Sequence, residues 1–157
     1  MTGPSADEVR KTNMETLASA HAVYVETMRK HCGEEGLKAI EEANREHGLE
    51  LGKAGIESGA LRKGEPESIF GFFEAAHPYF GFELELTDSS KDSVEIKVHS
   101  CPWIDTFKAE GAEEDICHWV CAMDDGIGRA VDEELRLSIP KCMMRGDDYC
   151  IYLWTKE

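Results

Sequence analysis

Five of the chain's six cysteines lie in its last third: Cys101, Cys117, Cys121, Cys142 and Cys150, with Cys32 alone near the start. Thiolates attack carbon or bind soft metal ions, so this crowding is where chemistry is expected first. His99-Ser-Cys101-Pro102-Trp103 stands where a strand gives way to a helix. With Pro102 at the first helical position, Cys101 is the N-cap. It then faces unpaired N–H groups and the positive end of the helix dipole, which favour the thiolate. Cys101 is therefore a candidate nucleophile or metal ligand, the plainer reading being a small inert cysteine. His99, two residues earlier, would share its face while strand geometry lasts and act as base or co-ligand. A surface histidine is the commoner outcome.

A helix over 113–131 puts Ile116, Val120, Met123 and Ile127 on one stripe. Cys117, Cys121, Asp124 and Gly128 fall on its flank at i, i+4, i+7, i+11, with His118 and Asp125 turned further toward solvent. Two thiols and a carboxylate beside a glycine suit a pocket wall, with Asp124 placed to move protons; core-edge packing is the alternative. Cys142 and Cys150 straddle a turn containing Gly146, close enough to chelate or to form a disulfide. With Cys121 they make a candidate zinc set, though the spacing is not Cys-x2-Cys. The aromatic run from Phe70 to Phe82 reads as core that could line an apolar pocket. Phe72, Trp103, Cys121 and Arg145 are the candidate substrate contacts. Glycine fingerprints for nucleotides and Gly-x-Ser-x-Gly are absent.

These residues need elements to hold them. Leu17, Ala20, Tyr24 and Met28 fall at helical spacing and predict a first helix over Ala6–His31, with Ser5 as N-cap. Gly33 ends it, and a second helix runs over 34–58, with Leu37, Ile40, Leu51 and Ala54 buried. Gly48, Gly52 and Gly55 weaken that helix unless another backbone packs closely there. The two helices form an antiparallel pair. A short helix over 67–76 follows. Period-two alternation of Phe80, Phe82, Leu84, Leu86 and then Val94, Ile96, Val98 predicts a hairpin. After helices over 102–109 and 113–131, a second hairpin pairs Leu135, Leu137, Ile139 with Ile151, Leu153, and Cys150, Tyr152, Trp154 take the other face. The sum is one α+β domain over 1–157: a helical segment over 1–62, then an α+β core over 63–157 carrying the cysteine cluster, its antiparallel sheet made of two hairpins separated by helices.

The 157 residues fit one domain, which at this size buries roughly 68–70% of its unfolded surface without staples. A formal net charge of −15 excludes nucleic acid and anionic membrane surfaces as partners. No apolar run reaches a membrane span, and the polar first ten residues are no signal peptide, so the expected compartment is the cytoplasm, where cysteines stay reduced. The long helices could pair between chains as a homodimer.

The order Cys101-Pro102, Cys121 with Asp124, then Gly146-Asp147 and Cys150 resembles the L-2-amino-thiazoline-4-carboxylic acid hydrolase family over about residues 94–155. Cys142-x7-Cys150 around Gly146-Asp147 is also similar to the vinyl-reductase-type small-molecule-binding domain, an antiparallel α+β fold whose matching cysteines help hold zinc. Ile139 stands where that domain has a glutamate, so Cys117, Cys121 or Cys101 would have to complete the set. The first resemblance implies opening of a cyclic amidine or amide: water adds at the C=N carbon and a C–N or C–S bond breaks. Either a Cys101 thiolate attacks while Asp124 relays protons, or thiolate-bound zinc activates water. Four thiolates would close a zinc site and make it structural.

Two functions compete: a small hydrolase using Cys101, Asp124 and His99, or a non-catalytic module for an apolar or tetrapyrrole-like ligand with a structural zinc–cysteine site. From Glu110 to Glu134 there are nine acids and one base, Arg129. That field disfavours a free carboxylate substrate unless Arg129, Arg136, Lys141 or Arg145 clamps it, and keeps a neutral, apolar ligand in play.

Overall fold

The computed structural model describes residues 3–157. α1 (Ala6–Ser58) opens on a reciprocal cap: Ser5 Oγ accepts from the Glu8 amide, and Ser5 N–H donates to the Glu8 carboxylate at 2.7 Å. Both expected helices lie within α1, joined at Gly33 (φ 60°, ψ −148°), a conformation reserved for glycine. The halves fold back there, since Met14, Leu17 and His21 line the same cavity as Asn44 and His47. A Cβ at Gly33 meets nothing within 4 Å, so its cost is purely conformational. Gly33→Ala is expected to lower stability by about 1–3 kcal/mol, read as a shift in urea midpoint.

The buried faces differ in part from the stripes read at helical spacing. In the first half they are Ala18, Ala22 and Val25, while Tyr24 is exposed and Leu17 turns to the cavity. In the second half Leu37 is buried and Ile40 packs against the core as expected, but Leu51 and Ala54 are exposed and Gly48, Gly52 and Gly55 face inward in their place. A Cβ at Gly48 would sit 1.8 Å from the Met123 carbonyl oxygen, and one at Gly126 2.1 Å from that of Arg45. Helix backbones meet here, a contact that larger side chains would prevent.

α2 (Ser68–Glu74) leads through a 3-10 turn to β1 (Glu83–Ser89) and β2 (Ser93–Ser100). α3 (Ile104–Ala109), α4 (Ile116–Val120) and α5 (Ala122–Val131) follow, then β3 (Leu135–Lys141) and β4 (Cys150–Lys156). The strands form one antiparallel sheet in the order β1-β2-β4-β3, so the hairpins join through β2 and β4. Val94 opposes Trp154, Ile96 opposes Tyr152 and Val98 opposes Cys150. Cys150, Tyr152 and Trp154 thus share the inner face with the valines and isoleucine of β2, and the helices cover that face.

The helix expected over 113–131 is stepped at Cys121 (φ −76°, ψ 3°), which separates α4 from α5. A step breaks the 100° phase that a continuous helix would keep. Asp125, expected toward solvent, is 6% exposed. Its carboxylate accepts from Arg45 Nε at 2.8 Å, Arg129 Nε at 2.9 Å and the Leu137 amide at 2.8 Å, tying α1, α5 and β3 together. No helix among the described residues is long and apolar enough to cross a membrane.

Candidate functional site

Between α1, α3, α5 and the inner face of the sheet lies a cavity of about 470 Å³. Leu84, Ile96, Val98, Phe73, Phe82 and Phe107 make its walls apolar. Cys101, Cys121, Asp124, Tyr152 and Cys150 bring the polar atoms. The strand-to-helix junction thus meets α5 and β4 at one place, and Cys101, Cys121 and Asp124 share it.

Two features position Asp124. The Cβ-free surface of Gly128 lets the Trp154 indole lie against α5, where a Cβ would be 2.4 Å from the ring. Trp154 Nε1 then donates to the Asp124 carbonyl at 3.1 Å. Among the described residues no donor reaches the Asp124 carboxyl. Enclosure by protein, with the negative charge of Asp125 next to it, pushes this carboxyl up to about 7. A carboxyl in that range gives and takes protons at neutral pH.

Cys101 lies two residues before the N-cap of α3, which is Trp103. The Trp103 and Ile104 amides at the start of α3 favour its thiolate, although the Ile104 N–H donates to the Cys101 carbonyl at 3.4 Å. Burial outweighs those two amides and pushes the thiol up to about 12, so Cys101 rests protonated. The resting thiolate expected from the helix dipole is corrected accordingly. Tyr152 OH and Cys121 Sγ are 3.0 Å apart. Burial holds the Tyr152 phenol well above its ordinary value, so it stays neutral.

His99 is not in this assembly. Its Nε2 lies 2.6 Å from the Glu85 carboxylate, on the outer face of the first hairpin. The chain turns after Ser100, so the strand parity that would have paired His99 with Cys101 ends one residue too soon. Phe72 packs against Gly55 and Phe73 instead of lining the cavity, and Phe73 takes the lining position. Trp103 lines the cavity, its ring tilted 35° to that of His21 with centroids 5.0 Å apart, and its Nε1–H is buried with no acceptor among the described residues. Arg145 lies elsewhere, in a groove behind Cys117 and Cys121.

The proposed zinc ligands divide. Cys142 has Cys117 and Cys150 as neighbours, and their thiols hold it down while they are themselves pushed up. Cys121 faces Cys117 and Tyr152. Among the described residues no group of three or more His, Cys, Asp or Glu side chains is arranged to hold a metal ion.

Sequence reasoning missed Tyr152 as a site residue and the wall contributed by α1, while Phe73 lay within the aromatic run expected to line an apolar pocket. Tyr152 had a signal, since it alternates with Cys150 and Trp154 on one face of β4. His77 had none. Its Nδ1 is 3.1 Å from the Phe73 carbonyl, and burial lowers its basicity, so the ring presents a neutral Nε2 acceptor.

Residues 11–154 match the family model described as L-2-amino-thiazoline-4-carboxylic acid hydrolase. No curated protein matches. Among solved structures, a trafficking protein particle complex subunit 3 from Naegleria fowleri, covalently bound to palmitic acid, superposes with TM-score 0.63 at 22% identity, covering 94% of this chain and 96% of that one. The phenol-responsive sensory domain of the transcription activator PoxR, with phenol, gives TM-score 0.61 at 14% identity, covering 91% and 74%. At these identities the likeness is one of fold.

Proposed function

The chain belongs to the L-2-amino-thiazoline-4-carboxylic acid hydrolase family, and from that premise we propose that it opens the C–N bond of a cyclic amidine or amide held in the apolar cavity. The observation that carries the reading is Asp124, an enclosed carboxyl near pH 7 with no protein donor, at the polar end of an apolar chamber. Water adds to the amidine carbon as its proton passes to an Asp124 oxygen, and the C=N electron pair moves onto nitrogen. The protonated Asp124 returns that proton to the same nitrogen. In the collapse it takes the proton of the added hydroxyl as the C=O bond forms and passes it to the departing nitrogen as the C–N bond breaks, leaving an amine and regenerating the Asp124 carboxylate. Cys101, protonated at rest, is a weak nucleophile here.

The substrate is expected to carry an apolar group. The walls are aromatic and aliphatic, and the two neighbouring folds carry palmitic acid and phenol in their own structures. Trp103 would offer its unpartnered indole N–H to a substrate acceptor. Trp103→Phe is then expected to raise KM about tenfold with kcat within about twofold, because one hydrogen bond to bound substrate is lost. Steady-state kinetics read both.

The test is direct. Purified protein is incubated with 2-aminothiazolines bearing aryl, alkyl or carboxylate substituents, and ring-opened product is followed by mass spectrometry. Faster turnover of the aryl and alkyl compounds supports the reading. Tight binding of those compounds with no product from any of them would replace it with the non-catalytic binding module.

A further inference from the structure

The chain has seven arginines. Five are paired with carboxylates: Arg10 with Asp7, Arg29 with Glu26 and Asp115, Arg62 with Glu65, and Arg45 and Arg129 with Asp125. Arg136 and Arg145 have no carboxylate partner among the described residues. Arg136 Nη1 donates to the Glu133 carbonyl at 2.6 Å and the Leu135 carbonyl at 2.8 Å, and Arg145 Nη2 donates to the Ile139 carbonyl. Each guanidinium is thus fixed at one nitrogen by backbone and keeps its other donors unused.

Both of them, with Arg45 and Arg129, line one groove of about 380 Å³ beside the edge strand β3. Four of seven arginines converge there in a chain with 32 acids and 17 bases. Asp125 and Glu41, on the groove floor, are already engaged by Arg45 and Arg129. The positive charge that remains faces outward from a rigid floor, because Asp125 also holds the Leu137 amide of β3. Guanidinium forks match the paired oxygens of phosphates and carboxylates, and a fork held in place by backbone loses little freedom on binding.

We infer that this groove is a binding site for a small, multiply charged oxyanion: a phosphate ester or a di- or tricarboxylate. Cys117 and Cys121 form the wall between it and the apolar cavity, so it is a second site. The two guanidiniums without carboxylate partners can each take a charged oxygen pair, so an anion carrying two or more charged groups engages both at once, whereas a singly charged one engages only one.

The experiment is an amide NMR titration of the full chain with inorganic phosphate and, separately, citrate, with ionic strength held constant by sodium chloride. Saturable shifts centred on Leu137, Ser138 and Arg145 are expected. Earlier saturation by phosphate assigns the ester, and earlier saturation by citrate the polycarboxylate. Arg136→Gln and Arg145→Gln should each weaken binding about tenfold, while Arg10→Gln leaves it unchanged. Arg136→Lys and Arg145→Lys keep the charge but lose the fork; they should weaken binding less, and they decide the matter if a Gln variant fails to fold. Linear shifts with no saturation, or affinity unchanged by substitution at both arginines, would overturn the site.

Discussion

Asp124→Asn should reduce kcat/KM about a hundred- to ten-thousandfold while making the protein more stable than its parent above pH 7. The loss follows from the role: a group that takes a proton from water and returns it to nitrogen contributes about 10²–10⁴-fold, and asparagine does neither. The gain follows from the same burial. Aspartate in the unfolded chain titrates near 3.8, and in the fold near 7. Between those values the folded state keeps a proton that the unfolded state has lost, so stability falls as pH rises across that window. Above pH 7 the folded state carries the whole penalty of an enclosed charge, on the order of a few kcal/mol. Asparagine is neutral throughout and escapes it. Urea unfolding of both proteins at pH 5 and pH 8 measures this: the variant's midpoint should lie above its parent's by much more at pH 8 than at pH 5. A variant that is inactive and also less stable at pH 8 would have lost structure instead of a proton carrier.

Gly48→Ala should cost about 3–5 kcal/mol, a loss large enough to leave much of the chain unfolded at 37 °C. The added methyl would stand 1.8 Å from the Met123 carbonyl oxygen, and that oxygen belongs to backbone that no rotamer change can move. α1 and α5 would have to separate. Gly126 makes the reciprocal contact with the Arg45 carbonyl, so the two glycines hold one interface from both sides. Gly71→Ala in α2 is the contrast. A Cβ there meets nothing within 4 Å, and in a helix alanine is favoured over glycine by about 0.5–1 kcal/mol. Thermal melts of the two variants should move in opposite directions. Separation of the helices would also carry Asp124 away from Cys101, so residual Gly48→Ala activity should fall further than its folded fraction.

The α+β class and both hairpins were legible because period-two alternation over Leu84–Leu86 and Val94–Val98 has no helical reading. The gathering of Cys101, Cys121 and Asp124 was legible too, since a strand end and a helix flank were enough to suggest it. Asp125 and His99 were not. A helix wheel over 113–131 cannot register the step at Cys121, and strand parity cannot register where the strand stops. The buried face of α1 misled for a physical reason. Hydrophobic periodicity seeks large side chains, whereas the closest helix contact is made by Gly48, Gly52 and Gly126, which have none. The Cys101 thiol illustrates a third limit. The helix-start amides were read correctly, yet enclosure, a property of the whole fold, outweighs them. Of the four arginines in the groove, Arg129, Arg136 and Arg145 were legible as a possible clamp for a carboxylate, but Arg45, brought in from α1, was not.

The pH dependence of kcat/KM tests the central claim most directly, measured on a neutral cyclic amidine or amide whose own ionisation lies outside pH 5–9. With Asp124 as the base, kcat/KM should rise about tenfold per pH unit on the acid side and level off above an inflection close to pH 7, and Asp124→Asn should erase that inflection. A profile flat from pH 5.5 to 8.5, or an inflection near 7 that survives in Asp124→Asn, would contradict the account.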